Sequence, residues 1–488
     1  MSDNTLLAAV SDQSPVRVDD APARWRRGSV AGIYAALLIT AAVSSSGITV
    51  IYNALPTLQR SFPGQPALAW VVTIYWLASA IAAAVCGRLG DLRGRRQVLA
   101  VVLVLCAGGA LTAALSHSLP WLIAGCFIQG AASGITPLAL GLFRENLPPE
   151  RVPVAVGVLV SAGTVTAGVI FVVSGMVIDR FSWPAGFLFK VALSVVGLIG
   201  LSVWVPKSKP QPGPPVDMVR GLLFAPALAA ILVGVQQLRA WGPTDIRIWV
   251  LIAGGSLLLV TWARYQLRSP QPLIGLRILA NRQIVLANVC FIVIVLGTIQ
   301  LGQILSLFFQ QPLWTGTGLG LSATGSGWMH LLLDAFSMVA APWSGRIALR
   351  YGAKRAALIG FALITVGWTS LVVWHGDRVV TLTGSALALS GYAATATALY
   401  NLIFESVPER RTGEATGLTY VLFTAFFAVG AQVIFGLLGT SRVTDAMHGR
   451  LDFPSDAAFK LGFGYIATTG LVGLLLASLL SRRKPIAQ

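Results

Sequence analysis

Few residues in this chain of 488 can do chemistry, because only 11% are charged while 55% are hydrophobic. Asp334 is the acid set deepest in an apolar stretch, and Ser326, His330, Asp334 and Ser337 share one face at helical spacing. A carboxyl group there must be paired, hydrogen-bonded or protonated, which suits a group that alternately binds and releases a proton or pairs with a cation. The plainer alternative is a neutral acid hydrogen-bonded to His330 or to a neighbouring helix. Lys190 lies near the end of its own apolar run, where a long side chain can snorkel to an interface. Tyr52, Asn53, Gln129, Asn288, Gln300, Gln303, Tyr400 and Asn401 are uncharged polar residues within apolar runs. They can glue helices or line a cavity. With Trp76, Phe308, Phe309 and Trp328 they suit a small amphipathic or aromatic substrate held by adaptable contacts. Cys86, Cys106, Cys126 and Cys290 show no metal-ligand spacing. With no P-loop and no GxSxG, neither ATP drive nor enzymatic catalysis has support, and no cofactor is expected.

The elements that position these residues follow from hydropathy. Its mean is +0.76, and apolar stretches of about 20 residues, the length that crosses a bilayer, recur along the chain. The spacing predicts spans near 31–54, 67–87, 98–116, 119–142, 153–177, 185–205, 218–239, 246–265, 283–309, 322–347, 355–374, 379–403, 414–438 and 461–481. The expectation is an all-α polytopic membrane protein of fourteen spans. Lys207-Ser208-Lys209-Pro210-Gln211-Pro212-Gly213-Pro214-Pro215 is too rich in proline and lysine to be embedded, and reads as a linker. Of the 35 Lys and Arg, all but nine fall in the tails or after even-numbered spans, so both termini are expected to be cytoplasmic. The formal net charge of +17 then reflects topology, and no continuous basic face is offered to nucleic acid. Glu145, Asp179, Glu405 and Glu414 stand at span ends, where solvation or salt bridges account for them. Residues 439–460, with Asp445, His448, Asp452 and Asp456, read as a solvated loop.

One charged cluster interrupts the apolar pattern: Gly87-Arg88-Leu89-Gly90-Asp91-Leu92-Arg93-Gly94-Arg95-Arg96-Gln97-Val98-Leu99. Asp91 and Arg95 stand at i and i+4, in register for an ion pair along a helix. Gly345-Arg346-Ile347-Ala348-Leu349-Arg350-Tyr351-Gly352-Ala353-Lys354-Arg355 repeats the cluster 258 residues later, with Leu349 in place of Asp91. Pro149-Glu150-Arg151 and Pro408-Glu409-Arg410 repeat at an offset of 259. The chain therefore reads as duplicated halves. The expected organisation is a cytoplasmic tail (1–29), a six-helix bundle (30–206), a linker with two inserted helices (207–270), a second six-helix bundle (271–481) and a short tail (482–488). Parallel repeats of six helices carry substrate sites near the midplane, at the repeat interface.

The stretch 87–99 resembles the loop signature of the major facilitator superfamily, with Gly87, Gly90, Asp91, Gly94, Arg95 and Arg96 on pattern. Further matches are similar to the fourteen-span drug:proton antiporter group of multidrug exporters. They are Asn53-Ala54-Leu55-Pro56, Trp70-Val71-Val72-Thr73, Gln129-Gly130 and Pro272-Leu273-Ile274-Gly275-Leu276-Arg277. The resemblance runs from about 31 to 481. It implies a monomeric inner-membrane exporter in a lipid bilayer, driven by a proton gradient and working by alternating access. It also implies a conformational latch in which Asp91 faces the start of a second-half helix near 413 and pairs with Arg95 or Arg144. Three positions depart from the family pattern. Gly47 stands where an aspartate is usual, Cys126 where an arginine is usual, and Ile170-Phe171 where a Gly-Pro pair is usual, although Gly163, Gly168 and Gly175 still permit close packing. Two of these departures remove ionisable groups connected with proton coupling, which moves the coupling expectation to Asp334 and His330. A proton-independent facilitator or lipid/metabolite exporter, and a non-transporting membrane receptor, are the rival expectations.

Overall fold

The structure, a computed structural model, describes residues 27–480 apart from 64, 148–151, 209, 211–217, 243, 270–271, 274, 408–411 and 445–451. The first half holds α1 (Arg27–Ser61), α2 (Ala69–Arg93), α3 (Arg95–Ala114), α4 (Leu119–Gln129), α5 (Ile135–Asn146), α6 (Val152–Phe181) and α7 (Trp183–Trp204). The single turn α8 (Met218–Gly221) leads to α9 (Phe224–Trp241) and α10 (Ile246–Arg268). The second half holds α11 (Arg282–Leu296), α12 (Leu301–Gln310), α13 (Ala323–Tyr351), α14 (Ala353–Trp374), α15 (Arg378–Glu405), α16 (Thr412–Leu438) and α17 (Asp456–Ser478). The pairs α4/α5 and α11/α12 are rods interrupted by short 3-10 turns. Merging them and leaving out α8 turns seventeen helices into fourteen rods. Among the described residues, 11 are long and apolar enough to cross a membrane.

Local sequence explains where the rods start and stop. Gly94 and Gly352 separate α2 from α3 and α13 from α14 with φ of +92° and +89°, a conformation that glycine reaches without the Cβ penalty. They are repeat partners, so the duplicated cluster makes a duplicated turn. Ser322 caps α13 by accepting from the Gly325 N–H, and Asp377 caps α15 by accepting from those of Val379 and Val380.

The duplication also appears in packing. A Cβ on Gly109 would lie 2.8 Å from the Gly125 carbonyl, and one on Gly367 would lie 2.5 Å from that of Gly384. These crossings, α3 on α4 and α14 on α15, are the same glycine contact made twice, with backbones close enough that small residues are required. The halves meet along three seams: α6 on α13, α2 on α16, and α1 on α12. The inserted α9 and α10 pack on each other, and α9 also touches α2 and α16. The outer surface is apolar, with Val104 on α3 and Trp249, Val250 and Leu257 on α10 exposed, as lipid-facing helices require.

Residues 439–460 differ from the expected solvated loop. Arg442–Thr444 (β1) pairs antiparallel with Asp452–Pro454 (β2), and α17 starts at Asp456, five residues earlier than expected. Asp456 is engaged: it lies 2.6 Å from His375 Nε2 and 2.7 Å from Lys460 Nζ. Asp445 and His448 lie outside the described residues.

Candidate functional site

A cavity of about 250 Å³ lies between the halves, lined by Ser44, Ser45, Ile48, Thr49, Tyr75, Trp76, Ser79, Ser133, Ala167 and Tyr420. These residues come from the middle of α1, α2 and α6, from the 3-10 turn between α4 and α5, and from the start of α16. The hydroxyls are anchored: Ser44 donates to the Ala132 carbonyl, Ser79 to that of Gly130, and Ser133 to that of Ser79. Each keeps lone pairs free for a ligand donor. None of the lining residues is charged, and Tyr75, Trp76 and Tyr420 supply aromatic surface. The arrangement suits a small ring system bearing a few polar groups.

The two ends of the cavity differ. Toward the end opposite the arginine-rich loops, Trp76 stacks on Phe427 of α16 with centroids 3.8 Å apart, and its Nε1 donates to the Tyr52 hydroxyl. Asn53 on α1 donates to the Phe171 carbonyl at 2.8 Å and accepts from Gln310 Nε2 of α12 at 3.3 Å. A Cβ on Gly175 would lie 2.5 Å from the Ala323 carbonyl, and one on Gly327 would lie 2.5 Å from that of Phe171. Beyond them Asp179 on α6 accepts from the N–H groups of Ala323 and Thr324, at 3.0 and 2.8 Å, and from the Thr324 hydroxyl at 2.6 Å. One half thus caps a helix N-terminus of the other, where the helix dipole favours a negative charge. Partial burial pushes the Asp179 carboxyl up, but the hydrogen bonds it accepts outweigh this and hold it below the usual carboxylate range.

Toward the basic end the same four helices carry glycines with no described neighbour. A Cβ added at Gly87 on α2, Gly163 on α6, Gly345 on α13 or Gly417 on α16 would meet no described atom within 4 Å.

The cluster at 87–99 sits at the basic end. Arg95 lies 2.8 Å from Asp91 and 3.2 Å from Glu145, and donates to the Gly141 carbonyl. Arg96 reaches the Ser202 and Leu201 carbonyls, and its N–H donates to Ser208, whose hydroxyl donates to Glu145. Gly90 packs against Leu138, Gly94 abuts the Ser208 carbonyl, and Gly87 is open. Arg144 is exposed and has no ion-pair partner among the described residues. The described partners of Asp91, Arg95 and Arg96 belong to the first half and the linker; the side chains of Thr412 and Glu414, beside position 413, lie outside the described residues.

The polar candidates are placed as follows. Gln129 donates to the Gly109 and Gly125 carbonyls. Asn288 donates to the Ile284 carbonyl, Gln300 to those of Val295 and Phe427, and Gln303 to that of Ala431. Tyr400 packs on Phe291 beside Asn401, Phe308 and Phe309 sit in an aromatic cluster with Phe459 and Phe463, and Trp328 is exposed. In this conformation Trp76 alone of these residues lines the cavity; Tyr52 and Asn53 belong to the closed end.

His330 and Asp334 share a helix face but turn to different neighbours. His330 Nε2 is 3.0 Å from the Ser306 hydroxyl, and its ring stacks on Phe171. Asp334 is half-buried at the α6–α13 seam, with one carboxylate oxygen 3.1 Å from where a Gly168 Cβ would stand. No described residue donates a hydrogen bond to its carboxylate.

Lys190 overturns its expected snorkelling. It is 0% exposed, and its Nζ donates to Gln129 Oε1 at 2.9 Å, 5.8 Å from the centre of the Tyr75 ring. The residue lies a few positions inside α7, and that face of α7 turns inward against α1 and α3, leaving no path to an interface. Spacing along α7 cannot show this; the Ser-Ser-Ser run at 44–46, beside the vacated position at Gly47, was the available signal for a polar site.

Two halves of repeated apolar helices, joined along three seams beside an uncharged cavity, define a membrane transporter scaffold. Residues 37–431 match the Major Facilitator Superfamily, and the chain belongs to that family. It is 26% identical over 452 residues to the tetracenomycin C resistance and export protein of Streptomyces glaucescens, covering 90% of this chain and 81% of that one. It is 25% identical over 401 residues to the multidrug resistance protein Stp of Mycobacterium tuberculosis, covering 80% and 72%. Among solved structures, a D-xylose–proton symporter superposes with a TM-score of 0.66 at 14% identity, covering 93% of this chain and 98% of that one.

Proposed function

We propose that the chain exports small amphipathic, aromatic organic compounds across a bacterial inner membrane by proton antiport. The observation that carries this reading is the uncharged, aromatic, hydroxyl-lined cavity, where first-half helices meet Tyr420 of the second half. The similarity to an antibiotic resistance and export protein and to a multidrug resistance protein supports the direction of transport. In this reading all fourteen rods span the membrane, the protein works as a monomer, and both termini are cytoplasmic. The basic end then faces the cytoplasm, and the end where Asp179 caps α13 faces outside.

Asp334 is the coupling group in this proposal. A carboxyl at the α6–α13 seam, without a hydrogen-bond donor among the described residues, is stable there only protonated or paired. The seam opens and closes in each cycle, so the group meets water on one side and then the other. The test is efflux of a fluorescent drug from proteoliposomes with and without an imposed pH gradient. Asp334→Asn is expected to abolish gradient-driven efflux while leaving thermal stability and counterflow intact; full gradient-driven efflux in that variant refutes the assignment.

A second reading has its own support. Gly47 and Cys126 leave the first half without the ionisable pair the family usually has, which favours a proton-independent facilitator. Counterflow that ignores pH in the wild-type protein selects it.

A further inference from the structure

The cavity carries no charge of its own, yet a buried cation stands directly behind its wall. Lys190 is wholly enclosed, and only one of its ammonium donors has a partner among the described residues, the Gln129 carbonyl oxygen. Gln129 is held in place by donating to the Gly109 and Gly125 carbonyls, so that oxygen stays turned to the amine. The remaining polar neighbours are Tyr75 on α2, Cys106 on α3 and Cys126 on α4. A Cβ on Gly47 of α1 would lie 2.8 Å from Lys190 Nζ and 2.4 Å from the Tyr75 hydroxyl. Ammonium and phenol therefore meet at Gly47, where a larger residue would collide with both, and Tyr75 also lines the cavity. The ion pairs found among the described residues are all elsewhere, at Asp91, Glu145, Asp245 and Asp456.

We propose that Lys190 gives the cavity its charge selectivity, so that the preferred substrates are aromatic acids or acidic phenols rather than lipophilic cations. This rests on the exporter reading and names its substrate class. A buried cation without an anion is costly, and an anion brought close relieves that cost. At a few ångströms, in surroundings free of salt, the field of the amine reaches the cavity with little screening. The Tyr75 hydroxyl can donate to the acidic oxygen while Tyr75, Trp76 and Tyr420 hold the ring. The protonation of the empty site does not alter the outcome. An acid arrives as its anion at a protonated Lys190, or passes its own proton to a neutral one, and the same ion pair results. No lining residue offers a carboxylate to an organic cation.

The test is equilibrium binding to the full chain in nanodiscs, with three matched fluorescent probes: anthracene-2-carboxylate, anthracene-2-carboxamide and anthracen-2-ylmethylammonium. The wild-type protein is expected to bind the acid about ten- to a hundredfold more tightly than the amide, and the ammonium most weakly. Lys190→Gln is expected to bring the acid down to the affinity of the amide without changing the amide; Lys190→Arg is expected to keep the preference. Equal binding of acid and amide, failure of the acid to bind, tightest binding of the ammonium, or parallel loss of acid and amide in Lys190→Gln each overturns the proposal. The wild-type ratio decides even if Lys190→Gln does not fold. Failure of the exporter reading would show separately, as absence of substrate flux in proteoliposomes.

Discussion

Replacing Asp179 by alanine tests whether the closed end is held by a helix cap donated from one half to the other. The carboxylate accepts three hydrogen bonds from Ala323 and Thr324, and all three are lost in the variant. Asp179 is solvent-exposed, so the N-cap scale of about 0.5–2 kcal/mol applies, rather than the larger value of a buried charge. About 1 kcal/mol shifts a two-state equilibrium roughly fivefold toward the form open at this end. Spin labels at Phe181 and Leu313, both exposed near this end and on different halves, report the separation by double electron–electron resonance. The four native cysteines are buried and should not compete for label. The long-distance population should rise about fivefold in Asp179→Ala and less in Asp179→Asn, which keeps one carbonyl acceptor. The pH dependence has a definite sign. Because the carboxyl is held low in the capped form, the cap is at full strength above the ordinary carboxylate value near pH ~4 and weakens as pH falls through the lower, capped value. Wild-type protein should therefore open only in strong acid, and Asp179→Asn should lose that response. An Asp179→Ala variant with the wild-type distance distribution at neutral pH would refute the capping argument.

Gly327→Ala should open the same end, because the new methyl meets the Phe171 backbone carbonyl at 2.5 Å and backbone cannot yield as a side chain does; the same label pair reads it. Gly94→Ala should destabilise the α2–α3 turn, where φ is +92° and the Ser208 carbonyl is 2.9 Å from the added carbon, by about 1–2 kcal/mol, seen as a lower thermal midpoint. Arg95→Ala should cost about 1 kcal/mol in the same assay, since its partners Asp91 and Glu145 are partly exposed and screened. An unchanged midpoint would show that the ion pairs contribute nothing in this conformation.

The helices are legible from the sequence because hydropathy and length decide them: the fourteen rods begin and end within seven residues of the apolar runs. The duplication was legible from the charged cluster, and the glycine crossings at 109/125 and 367/384 show the physical need that kept both copies alike. Helix faces were less legible. His330 and Asp334 share a stripe, yet a helix against two neighbours divides a stripe between them, and His330 goes to Ser306 and Phe171 while Asp334 goes to Gly168. Lys190 departs from the snorkelling expectation because position along a span says nothing about rotation around it. Asp179 reads from sequence as a solvated or salt-bridged span end because its partners are backbone N–H groups 144 and 145 residues away, which no residue type announces.

The two charged devices divide the work between the ends in a way the cluster at 87–99 alone does not suggest. At the basic end Arg95 and Arg96 tie α2, α5, α7 and Ser208 together, which stiffens one half and fastens the linker to it. Those described bonds can persist whether or not the halves meet there. At the closed end Asp179 bridges the halves and must let go when they separate. A bond that breaks in every cycle has to be weak, and an exposed carboxylate capping a helix is worth about 1 kcal/mol, enough to bias the equilibrium but not to trap it. A buried ion pair in the same place would cost several times more to break. The second copy of the cluster, with Leu349 in place of Asp91, lacks the i, i+4 ion pair of the first. The duplicated turn is thus kept for shape in both halves, and the extra charge is concentrated in the half that also holds Lys190.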